Sequence, residues 1–215
     1  MGKLKAALFD LDGTLFDTEG QYTVIWSEIC QRFRPDIPDL AKIIKGTTLR
    51  QILERYFPDE ETQKKVCETL DEYETQMSYE FTDGALDFIK DLRKNGVRCA
   101  VVTSSNMKKM NCVERQMPEF RQLFDRVLTS EDFKASKPDP DCYLLGARVF
   151  EADINECIVF EDAFSGLKAG TSAGIFTVGL TTCNAREAIE DKCDFVIDNF
   201  TEITYLKAQK LIKDR

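Results

Sequence analysis

The pattern of apolar and polar positions divides the chain into a strand, a helical stretch and an alternating region. Residues 6–9 form a short apolar run bounded by charge and followed by Gly13, which is typical of a buried strand ending in a tight turn. From residue 18 to about residue 81 apolar positions recur at helical spacing and no convincing strand is visible. This stretch predicts helices over 18–33, 39–45, 48–57 and 59–79.

From residue 82 onward, β-rich runs alternate with amphipathic segments. The predicted strands are 97–103, 126–128, 157–160, 175–178 and 195–197, and the predicted helices are 85–94, 108–116, 141–150, 165–173, 184–191 and 201–213. Such alternation predicts an α/β fold, a Rossmann-like doubly wound parallel sheet with helices on both faces. We therefore expect residues 1–17 and 82–215 to form an α/β core, into which residues 18–81 are inserted as a helical subdomain.

Polar side chains gather where three predicted strands end. Ligands bind beyond the carboxyl ends of the strands in sheets of this kind, so these residues should meet at one edge in space. They are Asp10 and Asp12, then Thr103, Ser104, Ser105 and Asn106, and finally Glu161 and Asp162.

Composition narrows the classes of protein and partner. The net charge of −9 over 215 residues argues against a nucleic acid polymer or an anionic membrane as partner. No apolar run approaches the ~20 residues of a spanning helix, and the first strand begins too early to leave room for a signal peptide. Eight cysteines without a C-x-x-C pair predict reduced, mostly buried thiols and a cytoplasmic protein, rather than a disulfide framework or a zinc site. We take a monomer as the default.

The absence of histidine excludes Ser–His and Cys–His catalysis and histidine-ligated zinc. Without histidine, Asp10 and Asp12 become stronger candidates for acid/base chemistry. At i and i+2 of an extended chain they point to the same side. Two carboxylates ~4 Å apart repel by ~4 kcal/mol at an effective dielectric of about 20. A cation or a shared proton is the usual compensation, although a simple acidic turn is the alternative reading of this segment.

Four segments resemble, in order, the motifs of the haloacid dehalogenase superfamily of phosphotransferases. Residues 10–15, DLDGTL, resemble its D-x-D-G-[TV]-[LV] signature, Thr103 its second motif and Lys137, within SKPDP, its third. Residues 160–166, FEDAFSG, resemble the fourth motif of the β-phosphoglucomutase-like branch of subfamily IA. The position of the helical insert resembles the C1 type of cap.

The resemblance implies roles for these residues. Asp10 would be the nucleophile and Asp12 the general acid/base, while Thr103, Ser104, Ser105, Asn106 and Lys137 would bind the transferring phosphoryl group. Mg²⁺ would be held by Asp10, the backbone carbonyl of Asp12 and Asp162, with Glu161 either a ligand or a neighbour of the ligands. Without the resemblance, residues 104–106 also fit a helix cap, Lys137 a surface lysine and the pair 161–162 an acidic helix start.

The implied function is a Mg²⁺-dependent phosphatase of small phosphorylated metabolites, such as a sugar phosphate, a nucleotide or pyrophosphate. A phosphosugar mutase is the first alternative, but relatives with that activity often carry a histidine where Tyr22 stands and a cap arginine where Leu49 precedes Arg50. A non-catalytic member that binds a phosphorylated ligand or a protein is the second. The dehalogenase branch typically lacks the second aspartate of the signature, so the presence of Asp12 argues against that branch. Candidate specificity residues in the insert are Tyr22, Trp26, Lys45, Thr47, Thr48 and Arg50.

Overall fold

A six-stranded parallel sheet lies at the centre of the computed structural model, which describes residues 3–44 and 47–215. The strands are β1 (Ala6–Phe9), β2 (Arg98–Val102), β3 (Arg126–Leu128), β4 (Cys157–Glu161), β5 (Phe176–Leu180) and β6 (Phe195–Ile197). Their order across the sheet is β3-β2-β1-β4-β5-β6. The predicted doubly wound parallel sheet is confirmed, and β1 lies at the point where the strand order reverses direction.

Helices cover the sheet and fill the insert. In the described part of the chain they are α1 (Glu19–Phe33), α2 (Leu40–Ile43), α3 (Leu49–Tyr56), α4 (Glu60–Glu74), α5 (Ala85–Lys94), α6 (Met107–Gln116), α7 (Phe120–Leu123), α8 (Asp141–Val149), α9 (Phe164–Ser172), α10 (Arg186–Ile189) and α11 (Tyr205–Asp214). Short 3₁₀ turns occupy Ile154–Glu156 and Phe200–Glu202. The helical insert therefore consists of α1 to α4.

The two faces of the sheet form two separate parts of the core, because successive side chains of a strand point to opposite faces. Phe9 belongs to one part, stacked on Phe160 of β4 with ring centroids 4.9 Å apart. Leu8 belongs to the other, which also contains Tyr143 of α8. All four residues of β1 are fully buried, so the strand reads as a continuous apolar run rather than an alternating one.

The register of β1 determines where the polar strand ends meet. Phe9 pairs with Val101 of β2 on one side and with Phe160 of β4 on the other. Asp10 therefore follows its strand at the level where β2 and β4 also end, and its backbone N–H donates to the Phe160 carbonyl at 3.0 Å.

The two chain segments that enter and leave the insert run side by side. Phe16 and Phe81 form an antiparallel bridge. The N–H of Asp17 donates to the Glu80 carbonyl and that of Thr82 to the Leu15 carbonyl, both at 2.9 Å. Within the insert α1 packs against α2 and α4, and α4 also contacts α6 of the core.

Several predicted element boundaries are wrong, each for an identifiable reason. The helix predicted over 59–79 ends at Glu74, where the Tyr79 hydroxyl donates to the Glu74 carbonyl at 2.9 Å as the chain turns back. The helix predicted over 184–191 covers only Arg186–Ile189, because Asn184 is held by its amide on the Asp162 carbonyl.

The terminal helix, predicted from residue 201, begins later. A 3₁₀ turn precedes it, and Thr204 caps α11 by accepting from the Lys207 N–H. The helix predicted over 18–33 begins at Glu19, and Thr18, in the cap position before it, makes no capping hydrogen bond. The predicted helix over 39–45 is observed as α2, and its last residue, Lys45, lies outside the described residues.

None of the helices within residues 3–44 and 47–215 combines the length and apolar character needed to cross a lipid bilayer. No disulfide bond joins the eight cysteines, all of which lie within the described residues, and five of them are buried, as predicted.

Candidate active site

One cavity of about 290 Å³ lies beyond the carboxyl end of β1, between the sheet and the insert. All nine site residues predicted from the sequence line it: Asp10, Asp12, Thr103, Ser104, Ser105, Asn106, Lys137, Glu161 and Asp162. Residues separated by about 150 positions in sequence thus share one site, as the strand-end argument requires.

Lys137 is the cation at the centre of the carboxylates. It is only 4% exposed, so the surface-lysine alternative is wrong. Its ammonium group donates to Asp10 Oδ1 at 2.5 Å, to Glu161 Oε1 at 2.6 Å and to the Val102 carbonyl at 3.0 Å. Burial lowers the pKa of Lys137, but the carboxylates of Asp10 and Glu161 outweigh burial and hold this pKa above its ordinary value.

Asp10 has an unusually high pKa for an aspartate. Burial and the nearby Glu161 charge raise the pKa of Asp10 to about 7, while Lys137 opposes the rise. A carboxylate in this environment needs a further positive charge to stay ionised at neutral pH.

Both carboxylate oxygens of Glu161 accept hydrogen bonds from neighbouring groups. Its Oε1 accepts from Lys137 and, at 2.6 Å, from the hydroxyl of Tyr143, while its Oε2 accepts from the backbone N–H groups of Asp162 and Ala163 at 3.2 and 3.4 Å. The backbone of Gly166 passes so close that an added Cβ would lie 1.8 Å from Glu161 Oε1. Only glycine fits beside this carboxylate.

Asp162 lies against the turn after β1. Gly13 has a φ of +75°, and a Cβ there would lie 2.2 Å from Asp162 Oδ2, so glycine is required for conformation and for space. The Thr14 hydroxyl donates to Asp162 Oδ1 at 2.9 Å. Burial, followed by the charges of Asp10 and Glu161, raises the pKa of Asp162 well above its usual range.

The donor set suits a hard divalent cation. One carboxylate oxygen from each of Asp10, Glu161 and Asp162 lies within 4.8 Å of the other two. Asp10 and Asp162 each use Oδ1 for a protein donor, which leaves Oδ2 of each for a cation, whereas both oxygens of Glu161 already accept hydrogen bonds. All are oxygen donors, as Mg²⁺ prefers.

Asp12 is held by three donors. The Thr18 hydroxyl donates to its Oδ1 at 3.0 Å and the Ser105 hydroxyl to its Oδ2 at 3.1 Å, and the ammonium group of Lys109 also contacts Oδ2. The Thr18 hydroxyl thus binds Asp12 and does not cap α1. The four carboxylates nearest the end of β1 and the two buried ammonium groups together carry a formal charge of minus two, which one divalent cation would neutralise. Glu19, Asp71 and Glu74 also line the cavity, towards the insert.

The hydroxyl-rich segment after β2 surrounds the cavity floor. Thr103 is 2% exposed, and its hydroxyl accepts from the Ser105 N–H at 3.0 Å. Asn106 accepts from the Lys109 N–H at 3.0 Å and so caps α6, as the helix-cap reading expected. Asn106 thus lines the cavity at the amino-terminal end of α6, while the Met107 N–H of that helix donates to Glu131 at 3.1 Å.

The insert supplies the opposite wall. Of the candidate specificity residues, Tyr22, Trp26, Thr47 and Thr48 line the cavity. Arg50 instead pairs with Glu54 at 2.8 Å and its side chain is 70% exposed. Lys45 lies outside the described residues.

Two residues of the site were not predicted from the sequence. Tyr143 is a fully buried helix residue whose hydroxyl reaches Glu161. Lys109 is 1% exposed and shares the buried face of α6 with Cys112 and Val113. A lysine at i with apolar residues at i+3 and i+4 was the available signal for Lys109.

The chain is similar to known proteins along most of its length. The family model described as "Haloacid dehalogenase-like hydrolase" matches residues 7–180. A validoxylamine A 7′-phosphate phosphatase from Streptomyces hygroscopicus subsp. limoneus is 29% identical over 207 residues, covering 94% of this chain and 96% of the relative. A probable pseudouridine-5′-phosphatase from Saccharomyces cerevisiae is 32% identical over 215 residues, covering 87% of each chain.

Among solved structures, a haloacid dehalogenase hydrolase of family IA, variant 3, from Entamoeba histolytica is 29% identical and superposes with a TM-score of 0.85. The match covers 97% of this chain and 99% of that one. The protein belongs to the haloacid dehalogenase-like hydrolases, in the phosphatase-like branch of subfamily IA.

Proposed function

We propose that this protein is a Mg²⁺-dependent phosphatase of small phosphorylated metabolites that works through an aspartyl-phosphate on Asp10. The observation that carries the proposal is the convergence of Asp10, Lys137, Glu161 and Asp162 in one cavity. The two relatives described above are named as phosphatases of small phosphorylated compounds, which supports the same class of substrate.

Asp10 is the nucleophile. Its carboxylate lies at the end of the central strand, where the backbone N–H bond to Phe160 and the Lys137 contact fix its direction. A dianionic phosphate is repelled by a carboxylate, so the approach requires positive charge around both groups. Lys137 provides one such charge. The polar groups of Thr103, Ser104, Ser105 and Asn106, between β2 and α6, bind the phosphate oxygens.

Asp10, Asp162 and the Asp12 carbonyl would hold Mg²⁺, with Glu161 holding Lys137 and Tyr143 in place. When bound, the ion neutralises the acidic cluster and stabilises the charge on the transferring phosphoryl group. Asp10 attacks phosphorus, and the bond to the leaving oxygen breaks.

Asp12 exchanges the protons of the two steps. It gives a proton to the leaving oxygen of the substrate and then takes one from the water that hydrolyses the aspartyl-phosphate. Asp12 follows Asp10 by two residues after β1 and lines the same cavity, which supports this role.

Residues 18–81 act as a cap that excludes bulk water and selects the leaving group. The paired chain crossing at Phe16 and Phe81 supports this division of the chain. Arg50 points to solvent with Glu54 rather than to the cavity, and the described cavity-lining residues of the insert include no arginine. A mutase must hold a second phosphate there, so hydrolysis is favoured over phosphate transfer between two positions of a sugar.

The test is phosphate release from a panel of sugar phosphates, nucleotides and pyrophosphate, with Mg²⁺ and with EDTA. We expect Mg²⁺-dependent release, abolished in Asp10→Asn with the fold intact by circular dichroism. With methanol as a competing acceptor, the ratio of methyl phosphate to inorganic phosphate should be the same for different substrates, because all pass through one aspartyl-phosphate.

Three results would count against the proposal. Isomerisation of β-glucose 1-phosphate without net phosphate release would favour the mutase. Binding of phosphorylated ligands without turnover would favour a non-catalytic member. Substantial activity in Asp10→Asn would remove the nucleophile.

A further inference from the structure

Lys109 occupies an unusual place for a lysine. It lies on α6 with its side chain fully buried, 0% exposed, although lysine is almost never buried unless its charge is paired. Its ammonium group contacts Asp12 Oδ2 and the hydroxyl of Tyr22, and lies 4.6 Å from the centre of the Tyr22 ring. Burial of an ammonium group is unfavourable, so these contacts must compensate for its lost hydration.

The contacts continue into the insert. The Tyr22 hydroxyl accepts from Lys109 and donates to Glu74 Oε1 at 2.7 Å. Burial raises the pKa of Glu74, and it raises the pKa of Tyr22 well above its usual range. A continuous chain of polar contacts thus joins Glu74 of α4, Tyr22 of α1, Lys109 of α6 and Asp12 at the end of β1.

We propose that Lys109 is a positioning residue for Asp12. Its ammonium group holds the Asp12 carboxylate where it can exchange a proton with the leaving oxygen, and Tyr22 and Glu74 hold the ammonium group from the insert. The inference rests on the proposed function, because it takes Asp12 as the acid/base group. The insert therefore contributes to the acid/base machinery through Tyr22 and Glu74 as well as excluding water.

The contacts of Asp12 explain why Lys109 is the decisive partner. Thr18 and Ser105 supply neutral hydroxyl donors, whereas Lys109 supplies a full charge, and hydrogen bonds to ionised groups are roughly twice as strong as neutral ones. The ammonium group of Lys109 is also held from the insert, by the Tyr22 hydroxyl of α1, which Glu74 of α4 holds in turn.

The experiment measures leaving-group dependence with Mg²⁺ present, using 4-nitrophenyl phosphate, phenyl phosphate and 4-methoxyphenyl phosphate. These substrates have nearly the same shape but differ in how much the leaving oxygen needs a proton. General acid–base catalysis typically contributes about 10²–10⁴-fold, so Lys109→Met should lower kcat/KM about 100-fold for the poorer leaving groups. The loss for 4-nitrophenyl phosphate should be below about 10-fold, because its leaving group needs little protonation.

Two further variants separate positioning from general damage. Tyr22→Phe keeps the ring over the ammonium group and removes only the hydroxyl, so it should shift the same dependence in the same direction by a smaller factor. Lys108→Met is the matched control. Lys108 neighbours Lys109 and also joins core to insert, through Asp71 at 2.8 Å, but its side chain is 77% exposed and is paired with Asp71 rather than with Asp12. Its leaving-group dependence should equal that of the wild type.

Asp12→Asn provides the reference for how strongly kcat/KM depends on the leaving group when the acid/base group is removed. If Asp12→Asn discriminates between the leaving groups while Lys109→Met and Tyr22→Phe lower all three rates equally, the positioning role is refuted and the proposed function stands. If Asp12→Asn itself lowers all three rates equally, the acid/base assignment fails and this inference fails with it. Should Lys109→Met not fold, Tyr22→Phe decides by the same criterion.

Discussion

Lys137→Met should destabilise the metal-free protein strongly and in a pH-dependent way. The ammonium group lies 2.5 Å from Asp10 Oδ1 and 2.6 Å from Glu161 Oε1. Each contact is worth about 6 kcal/mol of Coulomb energy at an effective dielectric of about 20, most of it offset by desolvation. Removing one partner of a buried ion pair costs about 3–5 kcal/mol, because the remaining charges are left without compensation.

The sign of the pH dependence follows from the pKa of Asp10. Its value of about 7 in the folded protein exceeds its ordinary value of 3.8, so stability falls as pH rises through this window. In the wild type the fall ends near pH 7. Without Lys137 the pKa rises further, and the fall continues at about 1.4 kcal/mol per pH unit. The gap between wild type and Lys137→Met should therefore widen by about 2 kcal/mol between pH 6 and pH 8.5.

The assay is urea denaturation in EDTA at these two pH values, read as the free energy of unfolding. Lys134→Met, which changes an exposed lysine on the same segment, should stay within about 0.5 kcal/mol of the wild type at both. A loss below about 1 kcal/mol for Lys137→Met, or a gap that does not widen with pH, would refute the idea that Lys137 compensates this cluster.

Two further predictions concern the metal and the packing around it. Mg²⁺ should raise the Tm more at pH 8 than at pH 6, because protons compete for Asp10 and Asp162, whose pKa values are raised; equal shifts would exclude both as ligands. Gly166→Ala should lower the free energy of unfolding by about 1–3 kcal/mol or more, since its Cβ would meet Glu161. Gly20→Ala, with no atom within 4 Å of the new Cβ, should instead gain about 0.5–1 kcal/mol in α1, and equal effects of the two substitutions in denaturation would contradict the packing argument.

The sequence was sufficient for the sheet and for much of the site because both depend on local patterns. The bounds of β1, β3 and β6 were predicted correctly, since each is an apolar or β-rich run with clear ends. Eight of the nine site residues were predicted because the carboxyl ends of parallel strands meet at one edge. Lys137, which follows no strand directly, was predicted from the motif resemblance alone. The motif resemblance then supplied their roles, which remain predictions.

The sequence was insufficient where a long-range contact decides. Lys109 meets Asp12 and Tyr22 across 97 and 87 positions, and nothing in α6 alone reveals those partners. The early end of α4 depends on the return of Tyr79, and the short α10 on the bond from Asn184 to Asp162. In each case tertiary contacts override local propensity.

The paired crossing at Phe16 and Phe81 has a consequence for engineering and for divergence within the family. Because the two ends of the insert are adjacent and hydrogen-bonded to each other, the core does not depend on how long the inserted segment is. Loop-closure entropy grows only slowly with length, about 0.6 kcal/mol per doubling. An insert of different length should therefore be accepted while Asp10 stays in register, provided that it keeps Tyr22 and Glu74, which hold Lys109.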